Sequence, residues 1–312
     1  MWVKMSTNMR SSATARFAYP VTRLDELEGD IATLLYAAIG KESIRTIIVA
    51  PRQRLIAAQG GWRRRLFRAL PWRWTPAWVL VLTDERLLVA TRTQPDAIPM
   101  LRSISPAALL AVEVGVVLLM GWMTCVWAEQ GRAETLEVRF NTVSDSFFWE
   151  VQQWLCQAAA PTPSISPDRH LERLAGLPYR FRQRIPRRLL LPGEVIEAVL
   201  FQEAIWQRRF RFFRRRVTPS RVVLLTDAHV LVVSDEEAVA GGASHGVIAR
   251  YFPRRHVRAV SVAKTTQGTL LTVSAAIASA ETTCTVLLAQ QPPGLLDNFL
   301  QMFHSLDNEG ER

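Results

Sequence analysis

Two segments of the 312-residue chain concentrate arginine among aromatic residues. "WRRRLFRALPWRW" runs from Trp62 to Trp74, and "WQRRFRFFRRRV" runs from Trp206 to Val217. The first carries Arg63, Arg64, Arg65, Arg68 and Arg73 beside Trp62 and Trp72; the second carries Arg208, Arg209, Arg211, Arg214, Arg215 and Arg216 beside Trp206. A guanidinium forks onto phosphate oxygens, Trp and Phe favour the interfacial zone of a bilayer, and a basic residue near an anionic membrane contributes about 1 kcal/mol. The chemistry such segments offer is binding to an anionic surface rather than bond making. The structural alternative is a solvated basic face with its aromatics packed onto the body. Their conformation stays open: Trp62, Leu66 and Leu70, like Trp206, Phe210 and Phe213, are spaced as one helical face, whereas "RFRF" from Arg209 alternates as a strand does.

Reactive chemistry is hard to find elsewhere. GxxxxGK[ST], GxSxG and HExxH patterns are absent. The five histidines, His170, His229, His245, His256 and His304, lack metal-ligand spacing and read as surface or turn residues. Cys125, Cys156 and Cys284 form no CxxC pair, and an odd count offers no disulfide framework; Cys125 and Cys284 read as core thiols. The expectation is a protein that is not an enzyme, with no cofactor and no metal, in a reducing cytoplasm. Net charge +10, with only three lysines, favours acidic partners, either an anionic membrane or nucleic acid. At 49% hydrophobic and 21% charged residues, most of the chain is expected to fold.

The elements that must carry these segments occur twice. "TPAWVLVLTDERLLVA" from Thr75 matches "TPSRVVLLTDAHVLVV" from Thr218. Upstream, Glu42, Ile44, Ile47 and Ile48 fall on Glu194, Ile196, Val199 and Leu200, and "LDELEG" from Leu24 falls on "LERLAG" from Leu171. Downstream, "LLAVEV" from Leu109 and "TLEVRF" from Thr135 fall on "VRAVSV" from Val257 and "TCTVLL" from Thr283. The chain reads as a tandem duplication. Its expected parts are a disordered tail at 1–20 without the apolar core of a secretory signal, a first domain at 21–158, a Pro/Ser linker at 159–168, a second domain at 169–306, and a tail at 307–312.

The apolar run from Ala107 to Ala128, broken only by Glu113, is long enough for a membrane helix. The repeat register argues otherwise. Val116 to Met120 falls on the polar "KTTQG" from Lys264, a turn between two β-type runs, and "AVEVGV" alternates. A hairpin is the better reading. Its tip, Val116, Val117, Leu118, Leu119 and Met120, is apolar where the sister tip is polar, and it either tucks against the other repeat or contacts a membrane or partner.

Each unit reads as strands, including a hairpin turning at Thr83-Asp84 or Thr226-Asp227, followed by one amphipathic helix. The helical stripes are Phe147, Val151, Trp154 and Leu155, then Leu295, Leu296, Phe299 and Phe303. About seven strands and a closing helix, with "LLLPGEVIEAVL" from Leu189 and "LVLTDERLLV" from Leu80, resemble the bacterial pleckstrin-homology and GRAM-like group. The resemblance covers most of both repeats, with departures: "AAIGKESI" replaces the opening motif in the first, and His229 stands where the first has Arg86. It implies a mainly β fold of two tandem barrels or sandwiches, each closed by a helix, and a binding or assembly module. The expected function is peripheral association with anionic membrane lipids through the two Arg/Trp loops. The alternatives are a self-assembling or partner-binding scaffold that uses strand edges and the apolar tip, and, ranked last, nucleic-acid binding.

Overall fold

The structure is a computed structural model that describes residues 17–53, 75–92, 97–117, 119–160, 169–210, 213–237, 244–266, 268–288 and 294–309. In the first repeat, β1 (Tyr19–Val21), helix α1 (Gly29–Ile39), β2 (Ile44–Ala50), β3 (Ala77–Thr83), β4 (Leu87–Arg92) and β5 (Met100–Ile104) precede β6 (Leu109–Val117), β7 (Met120–Glu129), β8 (Arg132–Asn141) and α2 (Asp145–Ala159). The second repeat opens with α3 (Tyr179–Arg184), prolonged by a π turn at Ile185–Leu189. Then come β9 (Ile196–Gln202), β10 (Ile205–Phe210), β11 (Phe213–Thr218), β12 (Arg221–Thr226), β13 (His229–Glu237) and β14 (Ser244–Pro253). The chain finishes with β15 (Val257–Thr265), β16 (Gly268–Ile277), β17 (Ala280–Leu288) and α4 (Leu295–Glu309).

All strand pairings are antiparallel, and the fold is mainly β with a few helices. Strands β1 to β5 form one sheet in sequence order, and β15 to β17 form another. The largest sheet draws on both repeats, in the order β8-β7-β6-β14-β13-β12-β9. Strand β6 of the first repeat pairs with β14 of the second, Val112 opposite Tyr251 through Val117 opposite Gly246. No sheet closes on itself among the described residues, so of the expected barrels or sandwiches no closed barrel is present. Two further departures are helical. Each repeat has a helical segment before its first long strand, although Ile31, Leu35 and Ile39 already recur at helical spacing. Tyr19 and Pro20, assigned to a tail, are paired with Val49 and Ile48 in β1.

Strand alternation turns each sheet into two apolar faces. On the outer face of the first sheet, Ile47, Val79, Val81 and Leu88 meet Ile31, Leu35 and Ile39 of α1. On its inner face, Leu80, Leu82, Leu87 and Val89 pack with Val112, Val114, Met123 and Cys125 and with Phe148, Val151 and Leu155 of α2. The second repeat reproduces this plan. Val223, Leu225, Val230 and Val232 pack with Val260, Leu271 and Val273 and with Phe299 and Phe303 of α4. Its other face, Val222, Leu224, Leu231 and Val233, is covered by Phe181, Ile185 and Leu189 and merges with the first repeat's core. The buried stripe of α2 is rotated by one residue from the expected one: Phe148 is buried, while Phe147 and Trp154 are half-buried at the flank.

The 107–128 run forms the β6–β7 hairpin. It reads as continuous apolar sequence because its strands are covered on both faces, which removes the usual alternation. Val112 and Val114 enter one core, and Leu110, Ala111 and Val126 enter the other. The single charge, Glu113, lies opposite Arg250 in the ladder and accepts the Trp122 indole N–H at 3.0 Å. Two glycines let aromatic rings lie flat on the strands: Gly115 is opposite Trp122 and Gly121 opposite Phe140, and a Cβ at either would fall 2.1–2.2 Å from the ring. Among the described residues no helix is long and apolar enough to cross a membrane.

Candidate functional site

The repeated "Thr-Asp" signature builds the same polar turn twice. In the first repeat, the Thr83 hydroxyl donates to Glu42 at 2.7 Å, Arg86 pairs with Glu42 at 2.5 Å, and Asp84 accepts from the Ser43 amide at 3.2 Å. In the second, the Thr226 hydroxyl donates to Glu194 at 2.5 Å, His229 Nδ1 meets Glu194 at 3.1 Å, and Asp227 accepts from the Val195 amide at 2.9 Å. The other Glu194 oxygen accepts the Leu191 amide at 2.8 Å. The carboxylate thus ties the chain entering the repeat to the hairpin leaving it.

The two copies differ in what covers them. Arg86 keeps a third of its side chain in solvent, whereas His229 and Glu194 are buried. Cys156 and Gln152 of α2 are buried too, with Gln152 donating to the Cys156 sulfur at 3.3 Å. The Tyr251 hydroxyl donates to the Leu189 carbonyl at 2.9 Å, with its ring perpendicular to that of His229. The expectation of a surface or turn histidine fails for His229, because helix α2 of the other repeat covers it. Thiol, imidazole and carboxylate meet here, but all are enclosed. The cluster joins the repeats and presents no nucleophile to a substrate. Burial also holds the neighbouring Cys125 thiol protonated, pushed up to about 12 by desolvation and by Cys156.

Burial drives the His229 imidazole toward its neutral form, but Cys156 and the Glu194 carboxylate beside it outweigh that and raise its pKa to about 10. The folded pKa lies above the unfolded value of about 6.5. The stabilisation is therefore fully present below pH 6.5 and is lost as pH rises through about 10. Thermal melts of the wild type are expected to fall more steeply between pH 7 and 10 than those of His229→Phe. Parallel curves would remove the imidazolium from the account.

The sequence-predicted binding residues divide into three groups. Trp62, Arg63, Arg64, Arg65, Arg68, Trp72 and Arg73 lie outside the described residues, as do Arg211 and Leu118. The second segment is a β-hairpin rather than a helix. β10 pairs with β11, with Trp206 opposite Arg216, Gln207 opposite Arg215 and Arg208 opposite Arg214. Trp206 is 51% exposed. Arg216 is tied down at the hairpin base, donating to the carbonyls of Asp235 at 2.9 Å and Thr218 at 3.2 Å. Within the apolar tip, Val116 and Val117 sit in the ladder opposite Val247 and Gly246, so part of the tip serves the junction between repeats. Leu119 beyond them is 68% exposed, and Val143, next to the Thr142 amide that bonds the Leu119 carbonyl, is equally so.

Strand directions bring these features together. In the large sheet, β9 ends at Gln202 opposite Arg221, where β12 starts, and β10–β11 forms the connection between them. At that same end, β13 finishes and β14 starts, β6 finishes at Val117 opposite Gly246, and β8 finishes at Asn141 opposite Met120. The arginine hairpin and the apolar tip, nearly a hundred residues apart in sequence, therefore project from one end of one sheet. A third basic element belongs to this region and escaped the sequence reading. "YRFRQRIPRR" from Tyr179 supplies Arg180, Arg182, Arg184, Arg187 and Arg188, and its density of arginine was the available signal. Arg180 pairs with Asp235 beside the hairpin base, and Arg188 pairs with Asp145 at the start of α2.

Among the described residues no three His, Cys, Asp or Glu side chains are grouped to hold a metal ion. Set against family models, curated proteins and solved structures, the chain matches none of them.

Proposed function

We propose that this chain is a non-catalytic, peripheral membrane-binding protein of two pleckstrin-homology-like units, and that it meets anionic lipid with the end of the seven-stranded sheet. Supporting the units is the plan shared by both halves: a group of five strands in the first and four in the second, a three-strand group packed against it, and a closing helix. The observation that carries the membrane reading is the register, which sets the arginine hairpin and the exposed Leu119–Val143 step at one end of the sheet. Arg208 and Arg214 are register partners in the β10–β11 hairpin; guanidinium groups fork onto phosphate oxygens, and the apolar step suits the interface just below the headgroups.

The test is co-sedimentation of the full chain with phosphatidylcholine vesicles, with and without phosphatidylglycerol, at low and high salt. Binding is expected only with the anionic lipid and is weakened by salt. Replacing Arg208, Arg214 and Arg215 with alanine removes about 1 kcal/mol each and weakens binding about a hundredfold. Unchanged affinity in that variant refutes the mechanism, and binding to neither vesicle transfers the assignment to a protein scaffold.

A further inference from the structure

Beside the β6–β7 tip, the junction of the repeats leaves a crevice of about 50 Å³ lined by Val116, Trp149, Arg184, Arg188, Leu189 and Val247. Its walls come from separate parts of the chain. Val116 and Val247 are partners across the β6–β14 ladder, Trp149 comes from α2, and the arginines come from α3 and the π turn that follows it. That turn is closed by the Leu190 amide bonding the Ile185 carbonyl at 2.9 Å, five residues back. Single π turns are costly local geometry and recur at functional sites. Here Arg184 immediately precedes the turn and Arg188 lies within it, and both line one crevice.

Size and charge select the occupant. A single water needs roughly 10–15 Å³, so the crevice suits a group of a few heavy atoms and not a whole organic ligand. Arg188 shares its charge with Asp145 at 3.2 Å, while Arg184 has no ion-pair partner among the described residues. Two guanidiniums and one carboxylate leave a net positive mouth over apolar walls; Arg184 and Arg188 are both exposed, so they can reach a ligand arriving from solvent. We infer that this crevice binds one phosphoryl group, held by Arg184 and Arg188, with Arg188 exchanging Asp145 for the ligand. That the phosphoryl group belongs to a lipid headgroup rests on the membrane reading above; the crevice itself does not.

Two measurements on the full chain separate these statements. The first is calorimetric titration with inorganic phosphate at low ionic strength. Saturable one-to-one binding is expected, weakened at least tenfold in Arg184→Ala/Arg188→Ala, retained when Arg208, Arg214 and Arg215 are replaced, and tightened in Asp145→Asn. No saturable binding, or binding indifferent to Arg184 and Arg188, overturns the crevice as a phosphoryl site. The second compares phosphatidylcholine vesicles carrying phosphatidic acid or phosphatidylserine at matched surface charge. A preference for the exposed phosphomonoester that disappears in Arg184→Ala/Arg188→Ala supports the headgroup as the source. Phosphate binding in the crevice with no vesicle binding at all leaves a site for soluble phosphate and removes the membrane reading alone.

Discussion

Glu194→Ala will destabilise the protein by about 3–5 kcal/mol, the loss expected when one partner of a buried charged pair is removed. Glu194 accepts from the Leu191 amide, the Thr226 hydroxyl and His229. All three groups lie beneath α2 or within the turn, so water cannot replace the carboxylate without opening the junction between repeats. The matching substitution in the first repeat is the control. Glu42→Ala breaks the same motif, but Arg86 is partly in solvent and can be rehydrated, so its cost is about 1–2 kcal/mol. Urea unfolding of the two variants, followed by tryptophan fluorescence, measures the difference. Equal losses would mean that burial beneath α2 adds nothing to the second copy.

Gly246→Ala carries the next largest effect, about 1–3 kcal/mol of overpacking. A Cβ at this position would lie 2.6 Å from the Val116 carbonyl oxygen and 3.0 Å from the Val117 Cα. Both are backbone atoms, so no side-chain rotation relieves the clash, and β14 must move away from β6. Amide hydrogen exchange at 112–117 and 247–251 is expected to accelerate at least tenfold, with little change in the β15–β17 sheet. Gly29→Ala makes the contrast: its Cβ meets nothing within 4 Å at the start of α1, where alanine is the better helix former. A Gly246→Ala protein as stable as Gly29→Ala would show that the two repeats can part at this edge without cost.

Much of the secondary structure was legible because both repeats impose the same local demands. Thr83 and Thr226, Asp84 and Asp227, and Glu42 and Glu194 recur since each pair closes the same turn with side chains that bond nearby amides and hydroxyls. Comparing the repeats also resolved the 107–128 run, whose hydropathy alone matches a membrane helix. The β10–β11 segment was ambiguous because its aromatics fit both periods, and pairing between its two halves decides the matter. His229 illustrates a different limit. Its partner Glu194 could be found by aligning the repeats, but its burial depends on α2 of the other repeat, which no neighbouring residue specifies.

By itself, then, the sequence determined the duplication, the strand-rich composition of each half, the closing helices and the two arginine-rich segments, since all of these follow from side-chain type and spacing along the chain. Tertiary structure alone decided that β6 joins β14 into one sheet. Ladder bonds are made by backbone groups common to every residue, and only Gly246 and the Glu113–Arg250 pair mark the register. That one union buries His229 at the junction, shapes the Arg184–Arg188 crevice, and brings the arginine hairpin and the apolar tip to the same end of the molecule.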